Sequence, residues 1–138
     1  MELKELIKKT IDNLDFSYSP YSSFKVSAML VGKSGKVYSG VNIENASYTP
    51  TNCAERTAFF KAVSEGEKEF ERIVIVGGQD GLISDYTSPC GVCRQVMMEF
   101  CDPKTFEIIL AKSPEDYRIY SLEEILPLGF GPSNLCEV

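Results

Sequence analysis

Four residues dominate the chemistry written into this chain. Cys53 stands in T-N-C-A-E-R with Glu55 two residues on, and Cys90 and Cys93 stand in S-P-C-G-V-C-R. There is no histidine, so a soft metal site must be built from thiolates. A histidine triad or a Cys-His nucleophile pair is excluded. One thiolate followed by x-Glu, with a Cys-x-x-Cys pair further on, fits a zinc ion with three protein ligands. Three ligands leave one position open for water, which separates catalytic from structural zinc. Glu55 then falls beside the open position as a proton carrier rather than serving as a fourth ligand. Arg56, next along, is placed to donate hydrogen bonds to the sulfurs.

Plainer readings compete with this one. Cys90-x-x-Cys93 alone suits half of a structural zinc knot or a redox pair. A redox pair leaves Cys53 and Glu55 without a role. A structural zinc needs a fourth soft ligand, and the only spare cysteines are Cys101 and Cys136. Cys101 lies near the end of the helix predicted to start at Cys90, roughly 16 Å away at the rise of a helix. Catalytic zinc is the reading kept, with Cys101 and Cys136 as ordinary small apolar residues.

The elements that must position these groups follow from periodicity. Leu3, Leu6, Ile7, Ile11 and Leu14 recur at helical spacing. Phe24 to Val31 reads as a strand with Val26, Ala28 and Leu30 on one face. A turn at 32–35 leads into a second strand, Val37 to Val41, forming an antiparallel hairpin. The stretch from Asn42 to Asn52 is polar and aperiodic, a candidate site loop. A helix begins at Cys53 and stops at Gly66. Ile73 to Val76 is a short buried strand ended by Gly77-Gly78, and a helix runs from Cys90 to Phe100. Phe106 to Ala111 and Tyr117 to Tyr120 are further strands. Ser121 with Glu124 makes a capping box for a last short helix. This order predicts an α/β fold, a mixed sheet with helices on both faces. Both cysteine motifs then sit at helix N-termini, whose partial positive charge and free N–H groups offset thiolate charge.

Composition narrows the function classes. The 138 residues fit a single domain spanning 1–138, and 43% apolar content is enough for a continuous core. A net charge of −6 argues against nucleic-acid binding, which needs a basic surface. No apolar run is long enough to span a membrane, and no basic-then-apolar signal segment opens the chain. Thiolate ligands point to a reducing, cytoplasmic compartment.

The motifs taken in order resemble the cytidine deaminase family, in particular its small homotetrameric, three-cysteine zinc branch. They are Y-S-P-Y-S-S-F, G-V-N-I-E-N-A-S-Y, C-A-E-R-T-A, S-P-C-G-V-C-R-Q-V and L-G-F-G-P, and with them the resemblance covers Tyr18 to Leu135. C-A-E with P-C-x-x-C is similar to the zinc nucleobase-deaminase signature. The resemblance implies a three-layer α-β-α sandwich around a mixed five-stranded sheet, and one zinc per chain held by Cys53, Cys90 and Cys93. The implied reaction is hydrolytic removal of the 4-amino group of cytidine or deoxycytidine, as in pyrimidine salvage. Glu55 would take the proton of the attacking water, deliver it to ring N3 and assist the leaving amine. The resemblance further implies that Asn42 and Glu44 bind the ribose 3′-hydroxyl side, that the Ala54 N–H meets the pyrimidine O2, and that Phe24 packs against the base. Ala46 and Tyr48 would complete a neighbouring subunit's site, and Phe130 would close over the base from another subunit of a homotetramer. As a residue of its own chain, Phe130 would instead be an apolar plug under the last helix. The family often has glycine at the position of Ser27 and alanine at that of Val92, which bears on packing near the site. Two rival functions stand beside this one: deamination of an aminoglycosyl-cytosine antibiotic, and a zinc-binding module without chemistry.

Overall fold

The computed structural model describes residues 1–135. Its elements are α1 (Leu3–Asp12) with a 3-10 turn (Asn13–Phe16), β1 (Phe24–Gly32), β2 (Val37–Val41), α2 (Ala54–Ser64), β3 (Phe70–Gln79), α3 (Gly91–Phe100), β4 (Glu107–Ser113), β5 (Asp116–Ser121) and the single-turn α4 (Leu122–Ile125). The strands form one mixed sheet in the order β2-β1-β3-β4-β5. β3 and β4 run parallel, connected through α3, and the other neighbours are antiparallel. The mixed sheet and the order of elements are those expected from periodicity.

Side-chain alternation explains the layers. In β1, Ala28 and Leu30 join Ile73 and Ile75 of β3 in the core beneath α2 and α3, whereas Met29 and Val31 join Val74 and Val76 in the core beneath α1. Both faces of the central strands are covered, so β3 reads as an unbroken apolar run rather than an alternating one. On the α2–α3 side Phe59 anchors the packing, its ring 5.0 Å from Phe70 and 6.2 Å from Phe106. Each such fully buried ring contributes roughly 2–3 kcal/mol of transfer free energy. On the other side Leu6 and Ile7 of α1 are wholly buried. Ser121 caps α4, its hydroxyl accepting from the Glu124 N–H while the Glu124 carboxylate accepts from the Ser121 N–H.

Two local expectations are corrected. β3 does not stop at Gly77-Gly78. Both glycines continue the pairing, opposite Val26 and Lys25. They are strand positions where other backbone comes close: a Cβ on Gly78 would strike the Leu82 carbonyl, and one on Gly77 would lie 2.8 Å from Thr87 Oγ1. Ser27 does not bear on the packing of the cysteine site. It alternates with Ala28, is fully buried on the α1 side, and its hydroxyl has no partner. Val92, in the first turn of α3, is exposed.

Candidate active site and metal centre

Cys53 is the N-cap residue of α2 and Cys90 that of α3, both in extended backbone conformation. Each helix therefore begins at a sulfur. Cys93 lies one turn into α3 and is buried, and its backbone N–H donates to Cys90 Sγ at 3.5 Å. The loop between β2 and α2 is pinched shut by reciprocal backbone bonds between Ile43 and Asn52, each 2.9 Å. Asn52 Nδ2 donates to Thr57 Oγ1, and Thr57 Oγ1 donates to the Cys53 carbonyl at 3.1 Å. These bonds fix the start of α2.

The three sulfurs lie within 4.8 Å of one another, with Cys53 to Cys90 at 3.8 Å and Cys90 to Cys93 at 3.6 Å. Tetrahedral zinc with zinc–sulfur bonds of about 2.3 Å requires sulfur–sulfur edges of about 3.8 Å. The donor set and its spacing fit zinc. Among the described residues this is the only group of three or more potential ligands close enough to hold a metal ion. The spare Cys101 is buried at the far end of α3, its thiol pushed up by desolvation, and Cys136 lies outside the described residues.

The charges around the sulfurs are arranged for thiolates. Arg56 Nη2 donates to Cys53 Sγ at 3.3 Å. Burial works against the Arg56 charge, but its hydrogen bonds to the Cys53 and Cys93 sulfurs outweigh it and hold the guanidinium above its ordinary value. Its Nε is buried without a partner. The Cys53 thiol is lowered to about 5, chiefly by the hydrogen bond with Cys93, and the same contact pushes Cys93 up. Glu55 is 4% exposed. Desolvation pushes its carboxyl up to about 7, against the pull of its own backbone N–H.

Glu55 opens into a cavity of about 170 Å³ lined also by Val26, Asn42, Cys53, Ala54 and Thr87. Ala54 is the first residue of α2, where a backbone N–H has no intrahelical acceptor. An outer hollow of about 390 Å³ is bounded by Tyr21, Ser22, Glu44 and Tyr48 and shares Thr51 with the inner one.

The expected substrate residues are only partly gathered by this one chain. Asn42 and Glu44 are present but already engaged. Asn42 Oδ1 accepts from the Val26 N–H at 2.9 Å and from the Ser17 hydroxyl, while Nδ2 donates to the Phe24 carbonyl at 2.7 Å. One amide N–H remains. Glu44 accepts the Tyr21 and Ser22 N–H groups at 2.9 and 3.1 Å and the Ser22 hydroxyl, which lowers its pKa. Phe24 stands half-exposed at the start of β1. Ala46 and Tyr48 face outward. Tyr48 is 71% exposed, in left-handed backbone geometry (φ 64°), edge-on to Tyr21 at 6.0 Å. Phe130 is 56% exposed, not a plug under α4, with its carbonyl held by Gln95 Nε2 at 2.7 Å. Sequence reasoning passed over Thr51, Thr87 and Ser88 in the cavity wall and the Ser17–Asn42 bond. These are small polar loop residues, with no periodicity to give them away.

Comparison with known proteins agrees with this geometry. Residues 1–108, which contain all three cysteines and Glu55, match the family model described as the cytidine and deoxycytidylate deaminase zinc-binding region. A cytidine deaminase of Sporosarcina psychrophila is 40% identical over 98% of this chain and 96% of its own length. One from Halalkalibacterium halodurans is 44% identical over 94% and 95%. The crystal structure of cytidine deaminase from Burkholderia pseudomallei superposes with a TM-score of 0.85 at 43% identity, covering 94% of this chain and all of that one. A paired thiolate triangle at two helix N-termini, a buried glutamate and near full-length likeness thus place this chain in the cytidine and deoxycytidylate deaminase family of zinc-binding enzymes.

Proposed function

We propose that this chain catalyses the hydrolytic deamination of cytidine and deoxycytidine to uridine and deoxyuridine with release of ammonia. The observation that carries the reading is the thiol triangle of Cys53, Cys90 and Cys93, of which Cys53 and Cys90 line one cavity with the buried Glu55. The relatives named above are cytidine deaminases, and their likeness extends over nearly the whole chain.

Zinc held by the three sulfurs supplies Lewis acidity that makes water a nucleophile near neutral pH. Arg56 and the two helix N-termini spread the thiolate charge and keep that acidity from being lost. The Ala54 N–H donates to the pyrimidine O2 and sets the ring with C4 toward Glu55. As the C4–O bond forms, the Glu55 carboxylate takes a proton from the attacking water and delivers it to ring N3. It then carries the second proton from the new hydroxyl to the 4-amino group. The C4–N bond breaks, ammonia leaves, and C4 becomes the carbonyl of uridine. A buried carboxyl that opens into the cavity can take up a proton and give it back, which this sequence requires. The remaining Asn42 N–H and the Glu44 carboxylate bind the sugar hydroxyls, and Phe24 flanks the base.

The outward-facing Ala46, Tyr48 and Phe130 belong to sites shared between subunits of a homotetramer, the closed D₂ form being common. Their exposure within one chain supports that reading. None of the helices among the described residues is long and apolar enough to cross a membrane, and thiolate ligands suit the cytoplasm. Conversion of cytidine to uridine, followed by the loss of cytidine absorbance and by ammonia release, tests the proposal. Activity abolished by a zinc chelator and restored by zinc is the expected result. Stoichiometric zinc with no ammonia release would make the chain a binding module.

A further inference from the structure

The segment between β3 and α3 walls the cavity with Thr87 and Ser88 and ends on Cys90. Among the described residues, its positions 83–89 make no backbone–backbone hydrogen bond. Side chains must therefore hold it. At its C-terminal end, Arg94 Nε donates to the Pro89 carbonyl at 2.8 Å and Nη2 reaches Ser88 Oγ at 3.5 Å. At the other end Ile83 packs against the core beneath α1, and in the middle the anchor is Tyr86. Its ring packs against the core beneath α2 and α3, and its hydroxyl donates to the Asp116 carboxylate. The Arg118 guanidinium lies 4.5 Å from the ring centroid and Lys112 Nζ 5.1 Å. Lys112 also pairs with Asp116 at 3.7 Å. All three partners belong to the β4–β5 hairpin at the edge of the sheet. A cavity wall without backbone pairing is thus latched to an ordered hairpin through one phenol ring.

We propose that Tyr86 is a positioning residue that holds the Thr87–Ser88 wall of the cavity in its binding-ready conformation through Asp116 and Arg118. The inference rests on the deaminase reading for its choice of ligand. A loop freed from the latch samples more conformations, and the substrate must order it on binding. That ordering weakens binding. Once the nucleoside is bound the wall is in place, so the chemical step is nearly unchanged.

The test uses zinc-loaded Tyr86→Phe, Asp116→Ala, Arg118→Ala and Arg118→Lys. Tyr86→Phe keeps the ring beneath Arg118 and loses the bond to Asp116. The Michaelis constant for cytidine and the dissociation constant for uridine should rise together, roughly three- to tenfold, with kcat within about twofold and zinc content unchanged. Tyr86→Phe/Asp116→Ala should be no worse than the more affected single variant, because both remove one interaction. Arg118→Lys should regain most of what Arg118→Ala loses. Thermolysin should cut residues 82–88 faster in the weakened variants. Unchanged KM, uridine affinity and cleavage rate would overturn the latch. So would a fall in kcat accompanied by zinc loss, which marks a role in folding alone. If the parent enzyme leaves cytidine untouched, the substrate reading fails, and the cleavage rates still decide whether Tyr86 orders the loop.

Discussion

A methyl group on Gly40 of β2 would lie 2.6 Å from the backbone nitrogen of Ala58, one turn into the helix that carries Cys53 and Glu55. It would also strike the Ala54 carbonyl. Backbone cannot yield as a side-chain tip can, so α2 must shift. Gly40→Ala should destabilise the fold by about 1–3 kcal/mol and lower kcat by on the order of 10²-fold, as misplacement of a catalytic group by an ångström does. Denaturant unfolding and steady-state kinetics on the same sample check this. Wild-type kcat would mean that the start of α2 tolerates displacement.

Replacing Cys53, Cys90 or Cys93 by alanine should abolish stoichiometric zinc. Thiolate zinc contributes to folding as well as to chemistry, so these variants should also be less stable than the zinc-loaded protein while the two apolar cores keep them folded. Cys101→Ala should keep its zinc, since that thiol is buried at the other end of α3. Metal analysis per chain decides each case, and full occupancy in any one of the three would remove that residue from the ligand set.

Glu55→Gln should retain zinc and bind uridine while kcat collapses. Loss of one positioned acid–base group lowers rates by roughly 10² to 10⁴. Here one carboxylate handles each proton transfer, which places the effect at the upper end. Near-normal turnover would end its assignment as the proton carrier.

In zinc-free protein Glu55 also sets a pH dependence of stability. Burial raises its carboxyl from 4.5 to about 7, so the folded state binds more protons than the unfolded state between those values. Its contribution is present below about 4.5 and is lost as pH rises through about 7, on the order of 3 kcal/mol in all. Cys53, held down to about 5, slopes the other way, and Glu55→Gln retains it. The stability of wild type relative to Glu55→Gln should therefore fall between pH 5 and pH 8 in urea titrations. An equal pH slope in both proteins would contradict the buried-carboxyl account.

Phe130→Ala should raise KM for cytidine about fivefold, since a ring stacked on a base contributes roughly 1 kcal/mol. The change should leave thermal stability nearly unaltered, because the ring is mostly exposed in its own chain. Dilution to monomers should abolish activity with zinc retained. A fully active monomer, shown by sedimentation and assay together, would return each site to a single chain.

The chemistry was readable from the sequence because metal ligation depends on residue type and local spacing. Cys-Ala-Glu and Cys-x-x-Cys at helix starts survive folding unchanged: the caps of α2 and α3 are those residues. The layered mixed sheet was legible in the same way, from apolar periodicity in α1, β1 and β3. What tertiary structure alone decided was proximity. Cys53 and Cys90 meet at 3.8 Å only because β2 and β3 both run antiparallel to the β1 between them and so release the chain towards α2 and α3 at the same edge of the sheet. Gly77 and Gly78 read as a strand end because close backbone approach leaves no mark in a sequence beyond the glycine itself. Burial set the proton affinity of Glu55, and long-range contacts tied Tyr86 to Asp116 and Arg118. Desolvation and pairing between distant segments depend on the whole packed chain, and no local pattern of residues encodes them.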